Sequence, residues 1–204
     1  FYGVDPGDYS GVSVHIGDLN DDNYGDIVIG AYFGDGSGNA KFAAGEAYVV
    51  YGSGTLATEI NLDGSADVVI YGADESDNLG EDVWVADIDG WFGGDLLMGA
   101  VGGSGPFEDQ HSCGEVYLIY GGFLSSSYDL STDLVDLVIY GYKAGDAIGS
   151  PIGSGDINND GFADILFGAA AGDGYGISTD DCGEAYAVTL EDTDGDGKRN
   201  IGDN

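Results

Sequence analysis

Short apolar runs separated by glycine, aspartate and asparagine fill this chain, and they follow the two-residue period of strands rather than the 3.6-residue period of helices. In the first third, GVSVHIG, DIVIGAY, EAYVVYG and DVVIYG predict strands at about residues 11–17, 26–32, 46–52 and 67–72. A helix would need apolar residues at i, i+3, i+4 and i+7 over a sustained stretch, and glycine interrupts every such window. Helix content is expected to be near nil.

The same pattern returns. GDLNDDNYGDIVIGA ends at Ala31, ADIDGWFGGDLLMGA at Ala100 and GDINNDGFADILFGA at Ala169, a period of 69 residues. Gly45-Glu46, Gly114-Glu115 and Gly183-Glu184 keep that register, as do Tyr48, Tyr117 and Tyr186. Four short strands per repeat is the make-up of a propeller blade. The expected fold is all-β, a propeller-type array of three four-stranded blades at about residues 1–74, 75–143 and 144–190, followed by an acidic tail at 191–204. Pro151 lacks the donor a central strand needs and marks the first strand of the third unit as an edge. That unit has no sequence for a fourth strand. Phe1-Tyr2-Gly3 stands 69 residues before Ile70-Tyr71-Gly72 and reads as the tail of another fourth strand, so the array is expected to be open at both ends.

Composition narrows the function classes. Among 204 residues, 38 are acidic and 4 basic, for a net charge of -34, while 43% hydrophobic and 12% aromatic residues suffice for a core. Such a surface repels nucleic-acid backbones and anionic membranes. No run is long and apolar enough to insert into a bilayer as a helix. Two cysteines make no disulfide framework. The acid-rich, lysine-poor composition fits an extracellular or high-salt setting.

Candidate chemistry sits in the loops between the first and second strands. Asp18, Asn20, Asp22 and Asp26 take positions 1, 3, 5 and 9 of a nine-residue loop, and Asp156, Asn158, Asp160 and Asp164 repeat them. Alternate oxygen side chains on a tight loop converge, and the carbonyl of Tyr24 or Phe162 at position 7 completes a cage for a hard cation, calcium being the expected ion. Without a cation such carboxylates repel one another, so metal binding and local folding are coupled. Position 6 favours a left-handed backbone, which Gly161 adopts freely and Asn23 tolerates. The middle loop keeps Asp87, Asp89 and Asp95 but has Trp91 at position 5 and Phe92 at position 6, losing one ligand and altering the turn. Solvated turns capping hairpins are the alternative reading of all three loops.

Near the C-terminus, Asp192, Asp194 and Asp196, the carbonyl of Lys198 and Asp203 stand at positions 1, 3, 5, 7 and 12 of a further loop. It resembles an EF-hand or dockerin calcium loop, with aspartate where a longer glutamate is usual, against the alternative of a disordered acidic tail. The nine-residue loops, the Gly-Ala dipeptides and the Gly-Glu-x-Tyr strands resemble FG-GAP repeats, the blades of integrin α-subunit propellers, across residues 1 to about 190. The resemblance implies a propeller, usually of seven blades, with structural loop cations and ligands bound on one face of the disc. Three units fall short of a closed ring. FG-GAP repeats also serve as accessory propellers in secreted hydrolases.

Nothing else in the sequence points to catalysis. His15 and His111 have no motif-borne partner and read as packing and surface residues, and the chain is expected not to be an enzyme. Cys113 and Cys182, 69 residues apart, are expected to be unpaired or bridged only through bent loops, and the recurrent tyrosines to pack between blades. Ser125-Ser126-Ser127 reads as a surface turn. The expected function is a calcium-stabilised extracellular structural or adhesive module, completed by other copies of itself or neighbouring blades and extending into a surface filament. The alternative is a ligand-binding segment of a larger adhesin, with a surface protein or glycan as ligand. An accessory domain of a secreted hydrolase comes third.

Overall fold

The computed structural model describes residues 1–107, 110–174 and 182–191. Its first sheet contains β1 (Val14–Gly17), β2 (Asp26–Ala31), β3 (Glu46–Val50) and β4 (Val68–Tyr71) in chain order, all antiparallel. β5 (Leu79–Ala86), β6 (Asp95–Ala100), β7 (Glu115–Ile119) and β9 (Leu137–Tyr140) form the second, after β8 (Ser127–Asp129) leaves it. β10 (Ile148–Gly155), β11 (Asp164–Ala169) and β12 (Glu184–Val188) form the third. Register repeats with the sequence: Ile27 pairs with Val50, Leu96 with Ile119 and Ile165 with Val188. Among the described residues there is no α-helix, only a short 3₁₀ turn at Ser37–Asn39, and no helix long and apolar enough to cross a membrane.

The strands read as continuous apolar runs because the middle sheet is covered by its two neighbours, and the outer face of the first is covered in part by Val4, Ile60 and Leu62, which bury Ile29, Tyr48 and Val50. Val28, Ala47 and Val49 of the first sheet pack against Val83, Leu96 and Met98 of the second. Leu97, Val116 and Leu118, alternate residues facing the other way, pack against Ile152, Ile165 and Phe167 of the third. Each of the larger of these side chains, the valines, leucines, isoleucines, Met98 and Phe167, contributes about 1.5–3 kcal/mol relative to exposure. The Gly-Ala dipeptides have a steric origin. A Cβ on Gly30 would collide with the Gly80 carbonyl, and one on Gly99 with the Gly149 carbonyl, so bare backbone is what lets successive sheets close on each other.

The first strands of the three sheets lie side by side. Asp82 on β5 accepts the Ser13 hydroxyl at 2.6 Å on one side and the Ile152 amide at 2.7 Å on the other. His15 accepts the Val85 amide through Nδ1 at 3.1 Å, and the Trp84 indole donates to Ser154 at 2.9 Å. Pro151 lies on β10, an edge of its sheet as the missing donor requires.

The observed strands are shorter than expected by one to three residues at several ends. A larger difference concerns residues 125–129. Ser127 is not in a turn but begins β8, which crosses to the first sheet and pairs in parallel with β4, Val69 opposite Ser127 and Tyr71 opposite Asp129. Lys41 fixes that crossing with an ion pair to Asp129 at 3.2 Å and a bond to the Ala73 carbonyl at 2.7 Å. No apolar period announces a three-residue strand like this one. Tyr2 repeats the arrangement: its amide donates to the Ile60 carbonyl at 2.9 Å and its carbonyl accepts the Leu62 amide at 3.0 Å, in a parallel bridge. Phe1–Gly3 therefore lies beside residues 60–62 as β4 lies beside β8. Cys113 is buried, Cys182 exposed, and both are free.

Candidate metal centres

Each acidic loop joins the first two strands of a sheet and is held by its own aspartates. In the first, Asp18 accepts the amides of Asp22 at 3.1 Å and Asn23 at 2.8 Å, while Asp22 accepts that of Tyr24 at 2.8 Å. In the third, Asp156 accepts the amides of Asp160 at 3.0 Å and Gly161 at 2.9 Å. Asn20 and Asn158 each accept the amide two residues on, at 3.1 and 2.9 Å. Asn23 and Gly161 have φ of 68° and 96°, the left-handed backbone expected at position 6. Phe92 does not take that conformation. Position 4 is left-handed in all three loops, at Asp21, Gly90 and Asn159, and the second left-handed residue of the middle loop shifts to Gly93, with φ of 82°.

Position 9 has a second task. Asp26 is fully buried and accepts the Leu19 amide at 2.7 Å and the Gly52 amide at 2.8 Å, tying the loop to the end of β3. Asp95 does the same for Ile88 at 2.7 Å and Gly121 at 2.9 Å, and Asp164 accepts the Ile157 amide at 2.9 Å. Burial raises the Asp26 carboxyl above its ordinary range and pushes that of Asp95 up to about 7, the amide bonds opposing the rise in both. A divalent ion beside such a group would restore its charged form.

The oxygen-only donor sets suit a hard cation. Asp87, Asp89 and Asp95 bring ligand atoms within 4.8 Å of one another, and among the described residues this is the three-carboxylate group so gathered. The tightest carboxylate cluster thus lies in the loop that has lost its position-5 ligand to Trp91, which lies exposed against Phe92 with ring centroids 5.2 Å apart. Tyr24 and Phe162 stand at position 7 with their amides engaged by Asp22 and Asp160. Asp192, Asp194, Asp196, Lys198 and Asp203 lie outside the described residues.

The loops are also joined to each other. The Asp18 carbonyl accepts the Gly94 amide at 2.6 Å, and the Asp87 carbonyl accepts the Ala163 amide at 3.4 Å, the same pair of positions one repeat on. The Phe162 ring covers Gly90 of the middle loop. An ion that orders one loop therefore bears on the next.

The glutamates and tyrosines that keep the period in the sequence form a second recurrent acidic arrangement, together with aspartates that the sequence did not single out. Tyr48 donates its hydroxyl to Glu46, Tyr117 to Glu115 and Tyr186 to Glu184. Beside these pairs stand Asp8, Asp77 and Asp146, all buried, each accepting the amide three residues earlier. Their common 69-residue spacing was the available signal, obscured by the abundance of aspartate. Burial, with Asp8 and Asp5 adding repulsion, pushes the Glu46 carboxyl up to about 7, while the Tyr48 hydroxyl and the Gly36 amide oppose it. The folded protein then holds this proton to higher pH than the unfolded chain, so the stability it contributes is complete below about pH 4.5 and lost as pH rises through about 7. Glu46→Gln should flatten that part of the profile, recovering up to about 3 kcal/mol at pH 8 relative to pH 5 by urea unfolding in chelator. An unchanged difference between the two pH values would contradict the assignment.

His15 is half-buried on β1, between the first strands of the first two sheets. Its ring packs on Trp84 at 4.0 Å, and desolvation lowers its pKa, as suits an imidazole accepting an amide hydrogen. Tyr48 and Tyr117 are buried and anchored by their glutamates, and Tyr186 stacks on Phe167 at 5.5 Å.

Comparison with known proteins agrees with the repeat. Residues 10–50 match the FG-GAP repeat. The chain is similar to phosphatidylinositol-glycan-specific phospholipase D of Bos taurus, 30% identical over 164 residues, 78% of this chain and 18% of the relative. It is 34% identical over 125 residues to the Rattus norvegicus protein of that name and 33% over 123 residues to the Mus musculus one, 58% of this chain and 14% of the relative in each case. The chain spans less than a fifth of the length of these relatives.

Proposed function

We propose that this chain is a calcium-stabilised structural or adhesive module of the cell exterior, built as consecutive propeller blades of the FG-GAP type. The observation that carries this reading is the repeated loop frame: in all three sheets a buried position-9 aspartate ties an oxygen-rich loop to its sheet, and each loop bonds the next. The ions would sit among Asp18, Asn20, Asp22 and Asp26, among Asp156, Asn158, Asp160 and Asp164, and among Asp87, Asp89 and Asp95, with the C-terminal loop as a further candidate. Calcium would supply charge compensation and no redox or acid-base chemistry. Even four divalent ions leave most of the net charge of -34 in place, which favours solubility in salt and disfavours anionic partners.

A second reading has specific support. The relatives are named as phosphatidylinositol-glycan-specific phospholipases D, and on this reading the chain is an accessory blade set of a secreted hydrolase. Thermal unfolding with calcium and with chelator tests the main reading. A transition that climbs with calcium activity supports it, and one that calcium leaves in place contradicts it.

A further inference from the structure

The two junctions between neighbouring acidic loops are not filled alike. Between the middle and third loops, Phe162 at position 7 lays its ring over Gly90 at position 4. Between the first and middle loops, position 7 is Gly93, which has no side chain to lay over Asp21 at position 4. That junction stays open as a depression of about 540 Å³ lined by Asp21, Asp87, Gly90, Trp91, Phe92 and Gly93. Its two walls are fixed to each other, because the Gly94 amide donates to the Asp18 carbonyl at 2.6 Å and the Gly122 amide to the Leu19 carbonyl at 2.7 Å.

The lining combines aromatic faces with carboxylates. Trp91 and Phe92 are 43% and 53% exposed and meet at 88°, so the two rings form a corner. The first and third loops hold Asp22-Asn23 and Asp160-Gly161 at those positions, and the corner belongs to the middle loop. Asp21 stands outside positions 1, 3, 5 and 9, so its charge remains when the loops are filled, and Asp87 adds a second carboxylate. No basic residue lines the depression among the described residues. A guanidinium suits such a lining: its flat face stacks on an aromatic ring while its edge presents paired N–H donors to a carboxylate. An ammonium offers a point charge without that fork. The depression is too open to enclose a free small molecule, and it admits a side chain presented on another surface. The net charge of -34 draws basic partners and repels acidic ones.

We infer that the Trp91–Phe92 corner, flanked by Asp21 and Asp87, receives an arginine side chain from a basic segment of a partner protein. The inference rests on the adhesive-module reading and names a class of partner for it. The guanidinium stacks on Trp91 and its edge faces the two carboxylates.

The test is calorimetric titration of the full chain, in calcium and about 0.15 M salt, with a peptide alternating four arginines and four glycines. At that ionic strength charges more than about 8 Å apart are largely screened. Trp91→Ala leaves the net charge unchanged and should weaken binding about fivefold to thirtyfold. Asp21→Asn should weaken it about threefold, whereas Asp63→Asn, which removes an exposed acid on another loop, should change it less than twofold. The same peptide with lysine for arginine should bind several-fold more weakly. Trp91 and Asp21 are exposed, so both variants should keep the wild-type melting temperature, and Asp21→Asn against Asp63→Asn decides the matter if Trp91→Ala does not fold. Equal affinities across all these proteins would mean general attraction to an anionic surface and overturn the inference. Lysine binding as tightly as arginine, or a response to a neutral oligosaccharide and none to the peptide, overturns it too. A chain that melts higher in calcium yet ignores the peptide sinks this site alone, whereas selective peptide binding with a calcium-independent melt sinks the calcium-stabilised reading alone.

Discussion

In excess chelator the midpoint of thermal unfolding should fall by about 10–20 °C. A site at a hundredfold excess of ligand over its dissociation constant adds about 2.7 kcal/mol to the folded state, and a domain of this size moves about 2–4 °C per kcal/mol. Two filled loops account for the range. The loss should not stay local, because the Asp18 carbonyl holds Gly94 of the middle loop and the Asp87 carbonyl holds Ala163 of the third. Asp26 and Asp95 sharpen the expectation: both are buried in a carboxylate environment, and each secures amides from its loop and from the end of its sheet's third strand. Scanning calorimetry in calcium and in chelator measures the shift, and a change below about 3 °C, worth about 1 kcal/mol, would leave the loops without a stabilising ion.

Gly99→Ala should be the most damaging single methyl group. The new Cβ would collide with the Gly149 carbonyl, backbone against backbone across the second and third sheets, where no rotamer change relieves it. Overpacking of this kind costs about 3 kcal/mol or more, a fall of about 6–12 °C. Gly153→Ala is the control, since it lies on β10 with open space where its Cβ would stand. Equal melting temperatures for the two variants would mean that the sheets do not approach as described.

Much of this was legible in the sequence because the repeat is long and strict. The 69-residue period placed all three sheets, and the apolar runs DIVIGA, DLLMGA and DILFGA placed the second strand of each. The Gly-Ala dipeptide was visible as a landmark, but its cause lies in a neighbour 50 residues on, which no local pattern reveals. β8 was hidden because three residues beside a serine run carry no period, and its pairing depends on Lys41 and on the edge of a different sheet. The loops were found from alternating oxygens. What alternation could not give was the double duty of Asp26 and Asp95, which follows only once the loop folds back on the end of the third strand. Asp8, Asp77 and Asp146 kept the period too, yet among 38 acids the spacing alone did not separate them from solvated neighbours.

The account turns on whether the aspartate loops hold divalent ions. Diffraction from crystals grown in calcium measures this directly. It should show ions within loops 18–26 and 156–164, each surrounded by six to eight oxygens at about 2.3–2.6 Å. Maps in which Asp18, Asp22, Asp156 and Asp160 contact only water and their own loop amides would contradict it.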